Sequence, residues 1–227
     1  MKTNEELQKD VQDAIKWEPL LNAAEIGVIA KDGIITLTGI VDIYAKKLEA
    51  EIAAKNVAGV KAVVENIEIK FSSSWNKSDA DIANEVLATL KSSWAIPSEK
   101  LKVKVEDGWI TLEGELGWNY QKEVAESSIN HLNGVKGITN NIKIKPESHD
   151  MVEQIDIEKA FARNWTLGSQ DIKVKAVGHN VRLTGTVNSW HQKDEAGKIA
   201  WLTSGIDTVD NELVVEYDYS HTDYKNN

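Results

Sequence analysis

The residue types that usually carry catalysis or hold metal ions are scattered along this chain. No two of its five histidines lie at i, i+4 or at another spacing typical of metal ligands. The absence of cysteine excludes disulfides, thiolate zinc sites and a thiol nucleophile. The sequence contains no HExxH, no GxSxG, no phosphate-binding GxxxxGK loop and no GxGxxG after a strand. We therefore predict that the protein is not an enzyme and that it binds no metal and no cofactor.

Aromatic residues are the chemically distinctive group. The chain has eight tryptophans but only two phenylalanines. Because an indole ring combines a large apolar area with one polar N–H, outward-facing tryptophans indicate contact surfaces. The candidate contact surface consists of Trp109, Trp118, Tyr120, Trp190 and Trp201. Packing between parts of the chain, contact with a partner and simple exposure all stay open for these residues.

The elements that position these aromatics are written three times along the chain. Asp32–Gly39 reads DGIITLTG and Asp107–Gly114 reads DGWITLEG, so the two segments differ only at Trp109 and Glu113. A looser third copy, GHNVRLTG, occupies Gly178–Gly185. The apolar positions on both sides of these segments keep the same spacing without gaps. Such a repeat predicts tandem structural units.

Each copy has the same sequence of patterns. Leu7, Val11 and Ile15 have helical spacing, and the other copies begin in the same way. Two strands of alternating pattern follow, joined by a tight turn, and then a second helix with an alanine-rich inner face and a third strand. The predicted fold class is α+β, with three tandem αββαβ units. Each unit is a small mixed three-stranded sheet with two helices packed on one face.

Glycines recur in the second strand and after the second helix of each copy. These fold-defining residues are Gly39, Gly59, Gly114, Gly134, Gly185 and Gly205. The predicted organisation is repeat 1 at 1–70, a linker at 71–77, repeat 2 at 78–145, a linker at 146–150, repeat 3 at 151–217 and a polar tail at 218–227. Three tryptophans follow the first helices, and we predict that they cover the end of the sheet: Trp17, Trp94 and Trp165.

This pattern resembles the BON domain (bacterial OsmY and nodulation). The resemblance rests on DGIITLTG, on Gly59-Val60 and on Asn66-Ile67, and the second copy carries all three features. The third copy has Gly178-His179 in place of Asp-Gly and Glu212-Leu213 in place of Asn-Ile. The resemblance covers nearly the whole chain.

The resemblance implies a non-enzymatic bacterial stress-response protein of the osmotically inducible OsmY type. Such proteins contact phospholipid or protein surfaces, so membrane lipid and envelope or client proteins are the implied partners. The net charge of -10 disfavours binding to nucleic acid, because like charges repel. Two alternatives stay open, namely a self-associating structural protein joined through sheet edges or repeats, and a sensor of a small ion or metabolite between repeats. The sequence does not determine the oligomeric state.

The location of the protein follows from its hydropathy pattern. The first residues lack the apolar run of a secretory signal. No apolar stretch approaches the ~18 residues of a membrane-spanning helix. From the sequence as written we predict a cytoplasmic protein. If a signal peptide has been removed from it, the predicted location is the periplasm.

Overall fold

The computed structural model describes residues 2–71, 77–145, 154–164, 167, 171–203 and 205–216. Three units follow one another along the chain, and each has the order helix, strand, strand, helix, strand. We call them unit 1 (residues 2–70), unit 2 (residues 77–145) and unit 3 (residues 154–216). The predicted fold class is confirmed, since each unit contains a small mixed sheet with two helices.

The helices and strands have the following bounds. Unit 1 contains α1 (Asn4–Trp17), β1 (Ile26–Lys31), β2 (Ile34–Val41), α2 (Tyr44–Lys55) and β3 (Ala62–Ile69). Unit 2 contains α3 (Asp79–Ser92), β4 (Leu101–Glu106), β5 (Trp109–Leu116), α4 (Asn119–Ile129) and β6 (Gly137–Ile144). Unit 3 contains α5 (Gln154–Arg163), β7 (Asp171–Val177), β8 (Asn180–Val187), α6 (Trp190–Trp201), β9 (Thr208–Asn211) and β10 (Val214–Val215).

The first helices of units 1 and 2 begin at capping boxes. The Thr3 side chain accepts a hydrogen bond from the Glu6 N–H, and the Glu6 carboxylate accepts one from the Thr3 N–H. Ser78 and Asp81 make the same reciprocal pair at the start of α3. These bonds satisfy main-chain donors that the first helical turn leaves without partners. The hydrogen bonds from Ser78 also hold the pKa of the Asp81 carboxyl below its usual value.

The first two strands of each unit form an antiparallel hairpin. In units 1 and 2 the turn residues Asp32, Gly33, Asp107 and Gly108 all have positive φ, as a tight hairpin turn requires. The third strand pairs in parallel with the middle strand in each unit, so the second helix serves as the crossover. The strand order is therefore first, second, third.

Each unit has its own core between the sheet and its helices. The middle strand supplies the most deeply buried side chains, such as Ile35 and Leu37 in unit 1. Ala50, Ala53 and Ala54 form the buried face of α2, so this helix lies close to the sheet. Among the residues that the structure describes, each of the three clusters of buried residues belongs to one unit, and Tyr44 of unit 1 packs against the core of unit 2. One sheet face in each unit is thus covered by helices.

The third strand of unit 3 is divided in two. Both β9 and β10 pair in parallel with β8, and Glu212 and Leu213 lie between them. This is the place where the third copy has Glu212-Leu213 instead of the Asn-Ile of the other copies. The Glu212 N–H still donates to the Leu183 carbonyl, so the main chain keeps its contact with β8 across the break.

The glycine of the middle strand is required by a close approach of main chain. Gly114 has a φ of 144°, and a Cβ added there would overlap the carbonyl oxygen of Lys100. Gly39 and Gly185 meet the carbonyl oxygens of Glu25 and Asp171 in the same way. Only glycine combines this conformation with so short an approach.

The units contact one another through the first residue of the second helix. Tyr44 of α2 packs against the core of unit 2. Trp190, the equivalent residue of α6, donates its indole N–H to the carbonyl oxygen of Val60 in unit 1, at 3.1 Å. The extensive contacts between helices and strands otherwise lie within single units. Tyr44 and Trp190 therefore contribute to the contacts between units.

Gly114→Ala is expected to destabilise the protein by more than about 3 kcal/mol, because the added methyl group meets a main-chain oxygen that cannot move freely. Gly178→Ala is the matched control. Gly178 also has a positive φ, of 62°, but an added Cβ has no neighbour within 4 Å, so the cost should stay near 1 kcal/mol. Urea unfolding followed by circular dichroism measures both values, and equal losses would contradict the close approach.

Tyr44 provides a pH-dependent test of the contact between units 1 and 2. Burial raises the pKa of the Tyr44 phenol above its usual 10.0, nearby Glu126 raises it further, and a polar contact with the Ile138 main chain opposes this more weakly. A raised folded-state pKa contributes stability that is present below pH 10 and lost as the pH rises through the folded-state value. From neutral pH to about pH 11, the wild-type protein should lose more unfolding free energy than Tyr44→Phe. Identical losses in the two proteins would show that the phenol is not buried.

Candidate functional site

Two tryptophans protrude from the ends of the first helices. Trp17, the last residue of α1, is 84% exposed, and Trp94, just beyond α3, is 95% exposed. Glu18 and Ser93 take extended conformations at these helix ends and turn the chain away from the helix axis. Each ring presents a large apolar area together with one N–H group, and this combination is suited to contact with another surface.

The prediction that these tryptophans cover the end of the sheet is wrong for Trp17 and Trp94, and Trp165 lies outside the described residues. Smaller aliphatic side chains further along each loop cover the core instead. Ile96 and Leu167 are buried, and Leu21 is half-buried against the core of unit 1. These three residues occupy equivalent positions. Once they fill the space, the tryptophans are left outside.

The surroundings of the two protruding tryptophans are partly basic and partly apolar. Lys16 lies in the last turn of α1 and Lys91 in the last turn of α3. Leu20, on the loop after Trp17, is 44% exposed. We call Trp17 and Trp94 the protruding tryptophans, and Leu20 is an exposed apolar residue close to Trp17 in the sequence. Glu18 follows Trp17 directly, so the charge next to this tryptophan along the chain is mixed, whereas Lys91 is the charged residue nearest before Trp94.

Among the predicted contact residues, Trp109 lies on the sheet face that the helices leave open. It is about half-exposed, and its ring lies over Gly137 of the neighbouring strand β6. A Cβ on Gly137 would overlap the ring, so the glycine makes room for it. The alternation of β5 had placed Trp109 on the outer face, which agrees with this position.

Trp118 and Tyr120 flank the first residue of α4. Their ring centroids are 6.5 Å apart with the rings tilted by 38°, and each side chain is 43% exposed. The Trp118 N–H donates to the Gln121 side chain, which fixes the chain at the helix start. The two rings therefore form one apolar surface with a defined geometry, which we call the unit 2 aromatic pair.

Trp190 and Trp201 do not belong to a common surface with the other candidates. Trp190 is half-buried, and besides its bond to Val60 its ring lies 5.5 Å from the ammonium nitrogen of Lys193. Trp201 packs against the core of its own unit at the end of α6. An outward contact was expected for Trp201, whereas the side chain is half-buried against the core of unit 3.

The sequence analysis missed an apolar area on the open sheet face of unit 1. Ile29 is 59% exposed, and Ile34 and Val64 are each 44% exposed. Ile29 and Val64 lie on either side of Thr36 in the strand register. Unit 2 has Lys104, a charged residue, at the position of Ile29. A comparison of equivalent strand positions would have found this difference.

Potential reactive groups are few in the described parts of the chain. Within those ranges no group of three or more histidine, aspartate or glutamate side chains has a geometry that could hold a metal ion. His179 uses its Nδ1 for a contact of 2.7 Å with the Gly205 carbonyl oxygen, beside the hairpin turn of unit 3. Among the described residues, no helix has the length and apolar character needed to cross a bilayer. The chemistry that the site offers is apolar and aromatic contact.

Comparison with known proteins shows that the chain is similar to an osmotically inducible protein. It is 29% identical over 129 residues to Osmotically-inducible protein Y of Escherichia coli (strain K12), and this match covers 55% of the chain and 64% of that relative. The chain therefore spans less than two thirds of the length of this curated relative.

Two solved structures of CdsD, a structural protein of the Type III secretion system of Chlamydia trachomatis, are also similar. One is 18% identical with a TM-score of 0.26 and covers 93% of each chain. The other, of its C-terminal domain, is 17% identical with a TM-score of 0.25 and covers 95% of this chain and 100% of that one.

The sequence model of the BON domain matches three successive stretches, at residues 3–70, 78–146 and 154–217. These stretches contain the three units, and the resemblance inferred from the repeated motifs is confirmed. Since the three matches take in nearly the whole sequence, the chain belongs to the BON domain family.

Proposed function

We propose that this chain is a non-enzymatic binding protein of the osmotic stress response that contacts phospholipid surfaces through its protruding tryptophans. The observation that carries the proposal is the exposure of Trp17 and Trp94, at 84% and 95%, near the ends of the first helices of two successive units. The similarity to an osmotically inducible protein supports the physiological setting.

The chemistry of the loops favours a lipid surface. Tryptophan is enriched where a bilayer meets water, because its ring is apolar and its N–H remains hydrogen-bonded among the headgroups. Leu20 adds aliphatic area beside Trp17. Lys16 and Lys91, in the last turns of α1 and α3, supply positive charges close in sequence to the tryptophans, and such charges can pair with lipid phosphate. A single loop of this size contributes little, but two or more loops that bind the same surface reinforce each other.

The charge of the protein favours one kind of phospholipid. The net charge of -10 opposes approach to a strongly anionic bilayer. Zwitterionic phospholipid carries no net charge and avoids this repulsion. The loop contacts are therefore best matched to a surface rich in zwitterionic headgroups, with local attraction between lysine and phosphate.

The test is flotation of the protein with phosphatidylcholine vesicles. Trp17→Ala/Trp94→Ala should reduce vesicle binding at least tenfold, about 1.4 kcal/mol. Its unfolding free energy should change by less than about 0.5 kcal/mol, because both side chains are exposed. Trp109→Ala removes a half-exposed tryptophan from the open sheet face and should leave vesicle binding unchanged.

Two results would overturn the proposal. One is wild-type protein that fails to float with vesicles of either phosphatidylcholine or phosphatidylserine. The other is equal binding by the double variant and the wild type. A third outcome is a wild-type protein that binds no vesicles but suppresses the aggregation of reduced insulin, with this activity lost in the double variant. That outcome would show that the same tryptophans contact a protein surface instead.

A further inference from the structure

One place on the open sheet face is filled differently in units 2 and 3. In unit 2, Trp109 is paired with Gly137 of β6, and its ring lies over this glycine. The equivalent residues of unit 3 are Asn180 and Thr208, with Val177 on the other side of Asn180 in the strand register. Because asparagine is much smaller than tryptophan, the place that the indole covers in unit 2 is left uncovered in unit 3.

A hollow of about 460 Å³ lies at this place, and we call it the unit 3 hollow. Its volume falls within the range of roughly 300–1,000 Å³ that is usual for ligand pockets. Val177, which is 63% exposed, supplies apolar surface to it. The Thr208 hydroxyl donates a hydrogen bond of 2.6 Å to the side-chain oxygen of Asn180, which orients that amide at the edge of the hollow. The hollow therefore combines an apolar surface with polar groups in fixed positions.

Charged side chains line the other part of the unit 3 hollow. Lys175 lies directly opposite Arg182 in the strand register, and Asp210 lies on the far side of Arg182. The Arg182 guanidinium pairs with Asp210 at 3.1 Å and with Glu212 at 3.7 Å. Among the residues that the structure describes, no carboxylate forms an ion pair with Lys175. Because like charges directly opposite each other on neighbouring strands repel, an anion beside Lys175 would relieve this repulsion.

Units 1 and 2 lack this opposition of like charges. In unit 2 the equivalent of Lys175 is Lys104, which lies opposite Thr111 and pairs with Glu106 at 2.9 Å. In unit 1 the equivalent residue is Ile29. A lysine without a carboxylate partner, beside an uncovered apolar place, is therefore a feature of unit 3.

We propose that the unit 3 hollow binds a small aromatic carboxylate. The ring of the ligand takes the place that the Trp109 indole takes in unit 2, in contact with Val177 and Asn180. The carboxylate of the ligand pairs with Lys175, since the Arg182 guanidinium already has two carboxylate partners. This site shares no residue with the protruding tryptophans and stands apart from the phospholipid contact. Because the ligand is small and the net charge of -10 opposes the approach of anions, we expect a dissociation constant on the order of 1 mM.

Titration of the full chain with benzoate, followed by ¹H–¹⁵N NMR spectra, measures this binding residue by residue. The main-chain amides of Val177, Asn180 and Thr208 should shift and reach saturation. Benzamide has the same ring without the charge, and acetate has the charge without the ring, so each should bind at least about tenfold more weakly. The proposal is wrong if benzoate produces no saturable shift at these amides. Equal binding of benzamide would exclude the role of Lys175, and equal binding of acetate would exclude the place for a ring.

Two substitutions test the two halves of the site. Asn180→Trp/Thr208→Gly gives unit 3 the residues of unit 2, so the new indole should fill the hollow and abolish benzoate binding. Lys175→Ala should weaken binding at least about tenfold, whereas Lys104→Ala, at the equivalent position of unit 2, should bind benzoate like the wild type. The spectra of the same samples show whether each variant is folded. A folded Asn180→Trp/Thr208→Gly or Lys175→Ala protein that binds benzoate as tightly as the wild type overturns the proposal.

Discussion

Burial of a single sheet face in a very small unit governs the design of this protein. Each unit has only three strands and two helices with which to enclose apolar side chains, and small domains bury a low fraction of their surface. The Ala50, Ala53 and Ala54 face of α2 brings the helix close to the sheet, so the core is thin. The glycine of the middle strand lets that strand approach the start of the first strand. Everything outside this thin core is free to vary between units.

This division explains how the three copies share a template and differ in their surfaces. The inward positions of β2 and β5 are aliphatic in both units, for example Ile35 and Ile110. The outward positions differ, because Ile34 of unit 1 is replaced by Trp109 in unit 2. Units built in this way can differ in their outer surfaces without any cost to the core.

The sequence was sufficient for the fold because the fold depends on periodicity. Alternation in the strands, helical spacing in Leu7, Val11 and Ile15, and the Asp-Gly turn each have one structural meaning. The break between β9 and β10 coincides with the departure at Glu212-Leu213. Periodicity also placed Trp109 on the outer face of its strand. The predictions were weaker where no period applies.

The loops show why the candidate site was harder to predict. Nothing in the spacing of Trp94 distinguishes a side chain that covers the core from one that stands in water. Either Trp94 or Ile96, two residues later, could cover the core of unit 2, and the aliphatic Ile96 is the side chain that is buried there. The sequence feature that indicated the buried side chain is that the three equivalent positions are aliphatic in every copy, namely Leu21, Ile96 and Leu167. An aliphatic residue at a fixed position in all copies indicates the core more strongly than an aromatic residue at a shifting one.

Contacts between units depend on the identity of a few side chains rather than on any pattern. The first residue of the second helix is Tyr44 in unit 1, Asn119 in unit 2 and Trp190 in unit 3, so no repeat in residue type marks it. Its importance comes from position, because the strand-to-helix turn directs it away from its own core. Tyr44 illustrates the balance, as burial against unit 2 raises the pKa of its phenol while a main-chain contact partly offsets that cost. A chain built in this way holds its units together with side chains that lie outside the shared template, and these are therefore the positions where one copy can acquire a role that the others lack.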